Sequence, residues 1–227
     1  MNALKQTLAL AALSALGIVT TQAQVRITEV DANGSSSIYG ADWFELSNVG
    51  STNIDLSSWR MDDSSATFAS AVALRNNGSA NPFQLAPGQI AVFLEDGSTS
   101  ANDATLGANF QAAWGANLPS NLTLYYYGGS GVGLGAGGDQ VNIYDGSGLL
   151  MANVAFGAST LGGGTFDNAA GLNNVTLTQF SSVGVNGAFT SGNGAEVGSP
   201  GLVPEPSSAA LFATGAALFG ILRRRKK

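Results

Sequence analysis

Carboxylates make up almost the whole chemical repertoire of this chain. It has no histidine and no cysteine, and its lysines, Lys5, Lys226 and Lys227, sit at the extreme ends. Between them Ser-His-Asp, Cys-His and zinc-histidine chemistries are excluded, and only Asp, Glu, Tyr and Ser are left to move protons. Glu29 and Glu45 are the acids out of place. Each interrupts an apolar run, where an unpaired buried carboxylate costs several kcal/mol. They are expected to accept hydrogen bonds from loop backbone N–H groups or to pair with Arg26 or Arg60. A glycan hydrolase would need two carboxyls about 5 to 9 Å apart beside a sugar groove, and Glu29 with Glu45 is the pair to test for it. Calcium is the other chemistry on offer. Asp62 and Asp63 after Trp59, Asp96 before Gly97, and Asp145 at a hairpin put oxygen ligands at turns, as Ca²⁺ requires. Their spacing matches neither an EF-hand nor a Gly-Gly-x-Gly-x-Asp repeat, and Asp is also an ordinary turn cap. No catalytic residue and no cofactor is assigned.

Short strands must position these groups. Val25 to Val30 alternates apolar and polar, which puts Val25, Ile27 and Glu29 on one face and Arg26, Thr28 and Val30 on the other. Trp43–Leu46, Ile90–Leu94, Leu122–Tyr127, Val141–Tyr144 and Leu149–Phe156 are further β-branched and aromatic runs. Asp145-Gly146-Ser147-Gly148 supplies the positive-φ glycines of a tight hairpin, and Pro87-Gly88 turns into Ile90. Only Asn109 to Trp114 is expected to be helical, over one or two turns. Seven to nine strands with Gly-rich loops indicate an all-β antiparallel sandwich. Trp43, Phe44 and Trp59 are expected in its core, with stacking on sugar rings as the alternative. Tyr125-Tyr126-Tyr127 sends two rings to one face and one to the other. Gly128 to Gly138 lacks the lysine and following helix of a phosphate loop.

The ends carry addresses. Lys5, the apolar stretch Leu8–Thr20 and Thr21-Gln22-Ala23 have the plan of a secretory signal peptide, residues 1–23, cut after Ala23. At the other end Val203, Pro204, Glu205 and Pro206 lead into an apolar run, and Arg223, Arg224, Arg225, Lys226 and Lys227 follow. The 14 residues Ala209–Leu222 would span about 21 Å as a helix, short of the roughly 30 Å hydrocarbon core, whereas the 17 residues 206–222 just suffice. The five cations keep that end cytoplasmic. This segment, 203–227, resembles the PEP-CTERM sorting signal. The resemblance implies an exosortase-type membrane protease as partner, a membrane-anchored precursor, and delivery to the envelope, surface or extracellular matrix of a Gram-negative bacterium. The region between the addresses keeps fourteen of fifteen acids but only Arg26, Arg60 and Arg75, a net charge of about −11. Nucleic acid, which is bound through clustered Lys and Arg, is disfavoured as a partner. The absence of cysteine leaves the fold to its hydrophobic core.

Ile27-Thr28-Glu29-Val30, then Asp42-Trp43-Phe44-Glu45-Leu46-Ser47-Asn48, then Ile54-Asp55-Leu56-Ser57-Ser58-Trp59 resemble the opening blocks of a lamin tail domain. Gly138-Asp139-Gln140-Val141-Asn142-Ile143-Tyr144 and the closing Ser199-Pro200-Gly201 are similar to that family too. The resemblance implies an immunoglobulin-like β-sandwich, a module that accompanies exported proteins. Residues 24–156 are expected to form its core, and the Gly/Asn-rich 157–202 either its C-terminal part, with an edge strand at Val175–Phe180, or a spacer. The expected function is non-catalytic: surface adhesion, or a part in exopolysaccharide and biofilm matrix. A carboxylate-dependent hydrolase of matrix glycans and a Ca²⁺-stabilised adhesin are the alternatives.

Overall fold

A computed structural model describes residues 25–77, 83–97, 99–159 and 163–202. The signal peptide 1–23 with its site at Ala23, and the sorting segment 203–227 with its membrane run 206–222, lie outside the described residues. Among the described residues no helix is long and apolar enough to cross a membrane.

The strands are short and numerous. In chain order they are β1 (Val25–Asp31), β2 (Trp43–Asn48), β3 (Ile54–Asp55), β4 (Arg60–Asp62), β5 (Val72–Ala73), β6 (Gln84–Leu85) and β7 (Ile90–Glu95). A helix α1 (Asp103–Trp114) separates these from β8 (Thr123–Tyr127), β9 (Asp139–Tyr144), β10 (Leu150–Phe156), β11 (Phe166–Asp167), β12 (Val175–Leu177), β13 (Phe189–Thr190) and β14 (Val197–Gly198). Two five-stranded sheets, β11-β1-β2-β7-β8 and β12-β10-β9-β4-β5, pack face to face as an immunoglobulin-like sandwich. Pairing is antiparallel except at β7–β8 and β10–β12.

The parallel β7–β8 pair explains the helix. Parallel neighbours need a crossover that returns the chain to the same end. Helix α1 supplies it over 12 residues, about twice the length expected from Asn109–Trp114. Thr105 and Gly107 hide the first half because both are poor helix formers. Gly107 is kept by packing: a Cβ there would stand 2.5 Å from the Tyr126 hydroxyl on β8.

The first sheet is covered on both faces. Toward the second sheet it presents Ile27, Val30, Phe44, Leu46, Phe93, Tyr125 and Tyr127, which meet Met61, Val141, Ile143 and Val154. Toward α1 it presents Trp43, Val92, Leu94 and Tyr126, beneath Phe110, Ala113, Trp114 and Tyr39. Trp43 stands edge-on to Phe110 at 5.9 Å and to Trp114 at 6.0 Å. Tyr125 and Tyr127 thus face one layer and Tyr126 the other, as alternation requires. Trp43, Phe44 and Trp59 are all buried, which leaves none of them as a sugar platform.

Strict alternation fails in β1. The register slips between Ile27 and Glu29, so that Ile27 and Val30 both enter the inter-sheet core while Glu29 leaves it. A β-bulge of this kind adds one residue and turns the remainder of the strand to the other face. The expectation that Val25, Ile27 and Glu29 share a face is corrected accordingly.

Residues 163–202 bind back onto both sheets. Phe166–Asp167 pairs with β1, Val175–Leu177 pairs in parallel with β10, and Phe180 bridges Phe166. The β13–β14 hairpin sets Phe189 edge-on against Trp114 at 5.6 Å. The expected edge strand stops at Leu177. At the β9–β10 hairpin only Gly148 takes positive φ, at 87°.

Candidate functional site

The β1 bulge brings Glu29 opposite Glu45 of β2, as cross-strand partners on the outer face of the first sheet. Like charges directly opposed on neighbouring strands repel. Both side chains are 1% exposed, and their partners are all neutral. Glu29 Oε1 accepts the Ser199 N–H at 2.8 Å, the Ser181 hydroxyl at 3.3 Å and the Thr165 hydroxyl, while Oε2 accepts the Ser199 hydroxyl at 3.2 Å. Glu45 accepts the Thr28 hydroxyl at 2.6 Å on Oε1 and the Gly201 N–H at 2.6 Å on Oε2. Burial pushes the Glu29 carboxyl up to about 7, against which its hydrogen bonds pull only partly. Burial and the neighbouring Glu29 push Glu45 well above the ordinary carboxylate range. Of the two expected ways to satisfy these acids, loop backbone N–H groups are the one realised. Arg60 instead donates to the Ala71 carbonyl at 2.9 Å and lies over the Phe68 ring. Arg26 packs on Gly171.

The acidic row continues along the same face. Asp31, at the end of β1, is 5% exposed and its carboxyl is pushed up to about 6 by burial. The Tyr39 oxygen lies 3.0 Å from Asp31 Oδ2 and 3.1 Å from Glu196 Oε1, and it also accepts Trp43 Nε1–H at 3.1 Å. A phenol has one proton to give. Both acid contacts are therefore bonds only when one of the two acids brings its own proton. Burial also lifts Glu196 to about 7. Several of the acids behind the formal charge of about −11 thus hold protons near neutrality.

With Glu29 and Glu45 sealed beneath residues 165–201, no glycan reaches them. A different set of carboxylates lines a cavity of about 460 Å³ with Gly129, Gly131 and Gly133: the buried Asp42 and the partly exposed Glu95 and Asp96. The Gly-rich loop closes on Glu95, whose Oε2 accepts the Leu134 N–H at 3.2 Å. Carboxylates facing that loop repel phosphate. Burial lifts Glu95 to about 7, and Asp42 beside it adds to the effect.

The calcium candidates are not brought together. Asp62 Oδ2 accepts the Ser65 hydroxyl and the Thr67 N–H, and Asp63 Oδ1 accepts the Ser65 N–H. Asp145 Oδ1 accepts the N–H groups of Ser147 and Leu149 at its hairpin, and Asp96 Oδ1 accepts the Gly97 N–H. Among the described residues no three acidic side chains are grouped to hold one metal ion. All four act as turn caps. The one salt bridge among the described residues joins Arg75 to Asp103 at 3.1 Å and ties the β5–β6 connection to the first turn of α1.

Sequence reasoning singled out Glu29 and Glu45 but missed the residues that hold them. Thr165, Ser181, Ser199 and Gly201 are 136 to 170 residues away from Glu29 or Glu45 in the chain. The signal available was the closing Ser199-Pro200-Gly201, whose N–H groups needed acceptors.

Two sheets of mostly antiparallel strands around an apolar core, with one short crossover helix, define the class of immunoglobulin-like sandwiches. The lamin tail domain family model matches residues 19–158, more than half of the chain, and the chain belongs to that family. A second match, to the PEP-CTERM protein-sorting motif, covers residues 202–226. That motif marks a substrate of exosortase, a membrane protease, and makes this an exported surface protein of a Gram-negative bacterium. No curated protein matches the chain. The lamin tail match ends at 158, so the segment that covers Glu29 and Glu45 lies beyond it.

Proposed function

We propose that this is a non-catalytic surface component that, after sorting, takes part in adhesion or in exopolysaccharide and biofilm matrix. The observation that carries it is the order of the two family matches, a lamin tail domain over residues 19–158 followed by a sorting motif over residues 202–226. The sandwich is thus the cargo of the sorting reaction. Its acids support a structural use, since Glu29, Asp31 and Glu45 are spent on internal hydrogen bonds and the Asp caps on turns. Before processing, residues 206–222 anchor the precursor, with Arg223–Lys227 on the cytoplasmic side.

The test is co-sedimentation of the purified protein with exopolysaccharide from a producing strain. Saturable retention is expected, without release of reducing ends. The glycan-hydrolase alternative now rests on Asp42 and Glu95, neighbouring carboxyls in the lining of the cavity. Release of reducing ends that Asp42→Asn or Glu95→Gln abolishes would establish that alternative and end the non-catalytic one.

A further inference from the structure

The turn Ser199–Leu202 is held by the first two strands. Ser199 and Gly201 give their N–H groups to Glu29 of β1 and Glu45 of β2, and Leu202 N–H closes the turn on the Ser199 carbonyl at 3.0 Å. Gly201 has φ of 78°, and a Cβ there would stand 2.5 Å from Leu122 Cδ1, so the turn fits one seat. From Gly201 to Pro204 the chain is three residues, at most about 10 Å when extended. The sorting motif is therefore tethered close to a folded body by two carboxyls that cannot be in place until β1 and β2 have paired.

Among the described residues no cation balances those carboxyls. The charged and titratable groups around them are Asp31 on β1, Asp42 before β2, Tyr39, and Glu196 from the β13–β14 turn. Arg26, Arg60 and Arg75 are engaged with Gly171, Phe68 and Asp103. While one carboxyl of the pair keeps a proton, a neighbouring hydroxyl such as Thr28 or Ser199 turns from donor to acceptor and both backbone bonds persist. When both are ionised, two negative charges face each other in a dry site. Water relieves this only if the turn lifts.

Resting on the sorting function proposed above, we propose that Glu29 and Glu45 form a proton-operated clasp on the base of the sorting tail. Closed, it keeps Ser199–Leu202 seated on β1 and β2, which shortens the reach of the motif and denies it to the protease. Open, it frees Ser199–Leu202, lengthens the tether by about 10 Å and admits the protease. The pair are positioning residues for processing, not catalytic ones. Opening releases the protons that the closed pair holds, so it becomes easier as pH rises through the lifted range of Glu29 and is complete only when Glu45, lifted further by its neighbour, ionises as well.

The test is amide hydrogen exchange on the full chain in mild detergent, from about pH 6 to about pH 9, corrected for intrinsic exchange. Protection at Ser199 and Gly201 is expected to fall at least about tenfold per pH unit while the closed pair still holds a proton that the open pair gives up, and to level once both acids are ionised, while Val92 in β7 keeps the greater protection throughout. Glu45→Gln, which leaves a single charge, is expected to flatten that profile. Gly201→Ala, which keeps both carboxyls, is expected to unseat the turn at every pH and expose it to added protease. Protection that does not change with pH in the native chain, or an equal slope in Glu45→Gln, overturns the clasp. If Glu45→Gln does not fold, the native profile together with Gly201→Ala decides the matter. In cells with an exosortase, Gly201→Ala is expected to speed tail removal. A tail that is never removed while the exchange profile holds supports the clasp and refutes the sorting function instead.

Discussion

Raising the pH should weaken this fold. Glu29 and Asp31 are 1% and 5% exposed, and burial lifts them from 4.5 to about 7 and from 3.8 to about 6. In the unfolded chain they titrate at their ordinary values. The folded state therefore binds protons more tightly than the unfolded one between those limits. Stability is fully present below about pH 4 and is lost as pH climbs through about 6 and 7. Each such lift corresponds to about 3 kcal/mol. The two acids face each other's field, so a combined loss of about 5 kcal/mol is the better expectation, or roughly 10–20 °C in Tm for a domain of this size. At the acid end the order reverses. Turn-capping bonds lower Asp55 and Asp145, and the stability these contribute is lost as pH falls below about 4. The optimum therefore lies near pH 4 to 5. Urea titrations read by the buried tryptophans, Trp43, Trp59 and Trp114, measure it. Midpoints should fall from about pH 5 to about pH 8, and Glu29→Gln should remove about half of that slope. A midpoint that is flat or rises over that interval refutes the assignment of these acids as buried and uncompensated.

Other perturbations test separate parts of the structure. Trp114→Ala removes a fully buried ring that meets Trp43, Phe110 and Phe189, and should cost about 3–5 kcal/mol in urea unfolding. Arg75→Ala strands the buried Asp103 carboxylate and should cost about 3 kcal/mol, largely recovered by adding Asp103→Asn. Gly107→Ala should destabilise by about 1 kcal/mol despite its better helix propensity, because its Cβ meets the Tyr126 hydroxyl, and Tyr126→Phe should reverse the sign in a double-mutant cycle. Since Asp62, Asp63, Asp96 and Asp145 already cap turns, EGTA should shift the melting temperature by less than about 1 °C, and a larger shift would restore calcium to the account.

Much of the sandwich was legible because local physics dictated it. Runs such as Ile90–Leu94 and Val141–Tyr144 alternate or are fully apolar, and turn residues bracket them, so tertiary context only confirms what period and composition demand. The β1 bulge was not legible. Nothing in Val25–Val30 says where an extra residue enters, and one slip carries Glu29 from the core face to the outer face. Helix α1 was half visible, because its length answers to the parallel pairing of β7 and β8 and to a glycine kept for packing against Tyr126. The seating of residues 163–202 was hidden for a related reason. Their Gly and Asn content resembles a spacer, and what holds them is a set of contacts more than a hundred residues distant, such as Ser199 on Glu29. Glu29 and Glu45 could be flagged as odd from the sequence, but their partners needed the fold.

The intact mass of the protein released from the cell surface is the most direct test of the central claim, that this sandwich is cargo for a sorting protease. A species beginning at Gln24 and ending near Val203 is expected, and its loss from the surface when the exosortase is deleted. A surface species whose mass still includes Arg223–Lys227 would contradict it.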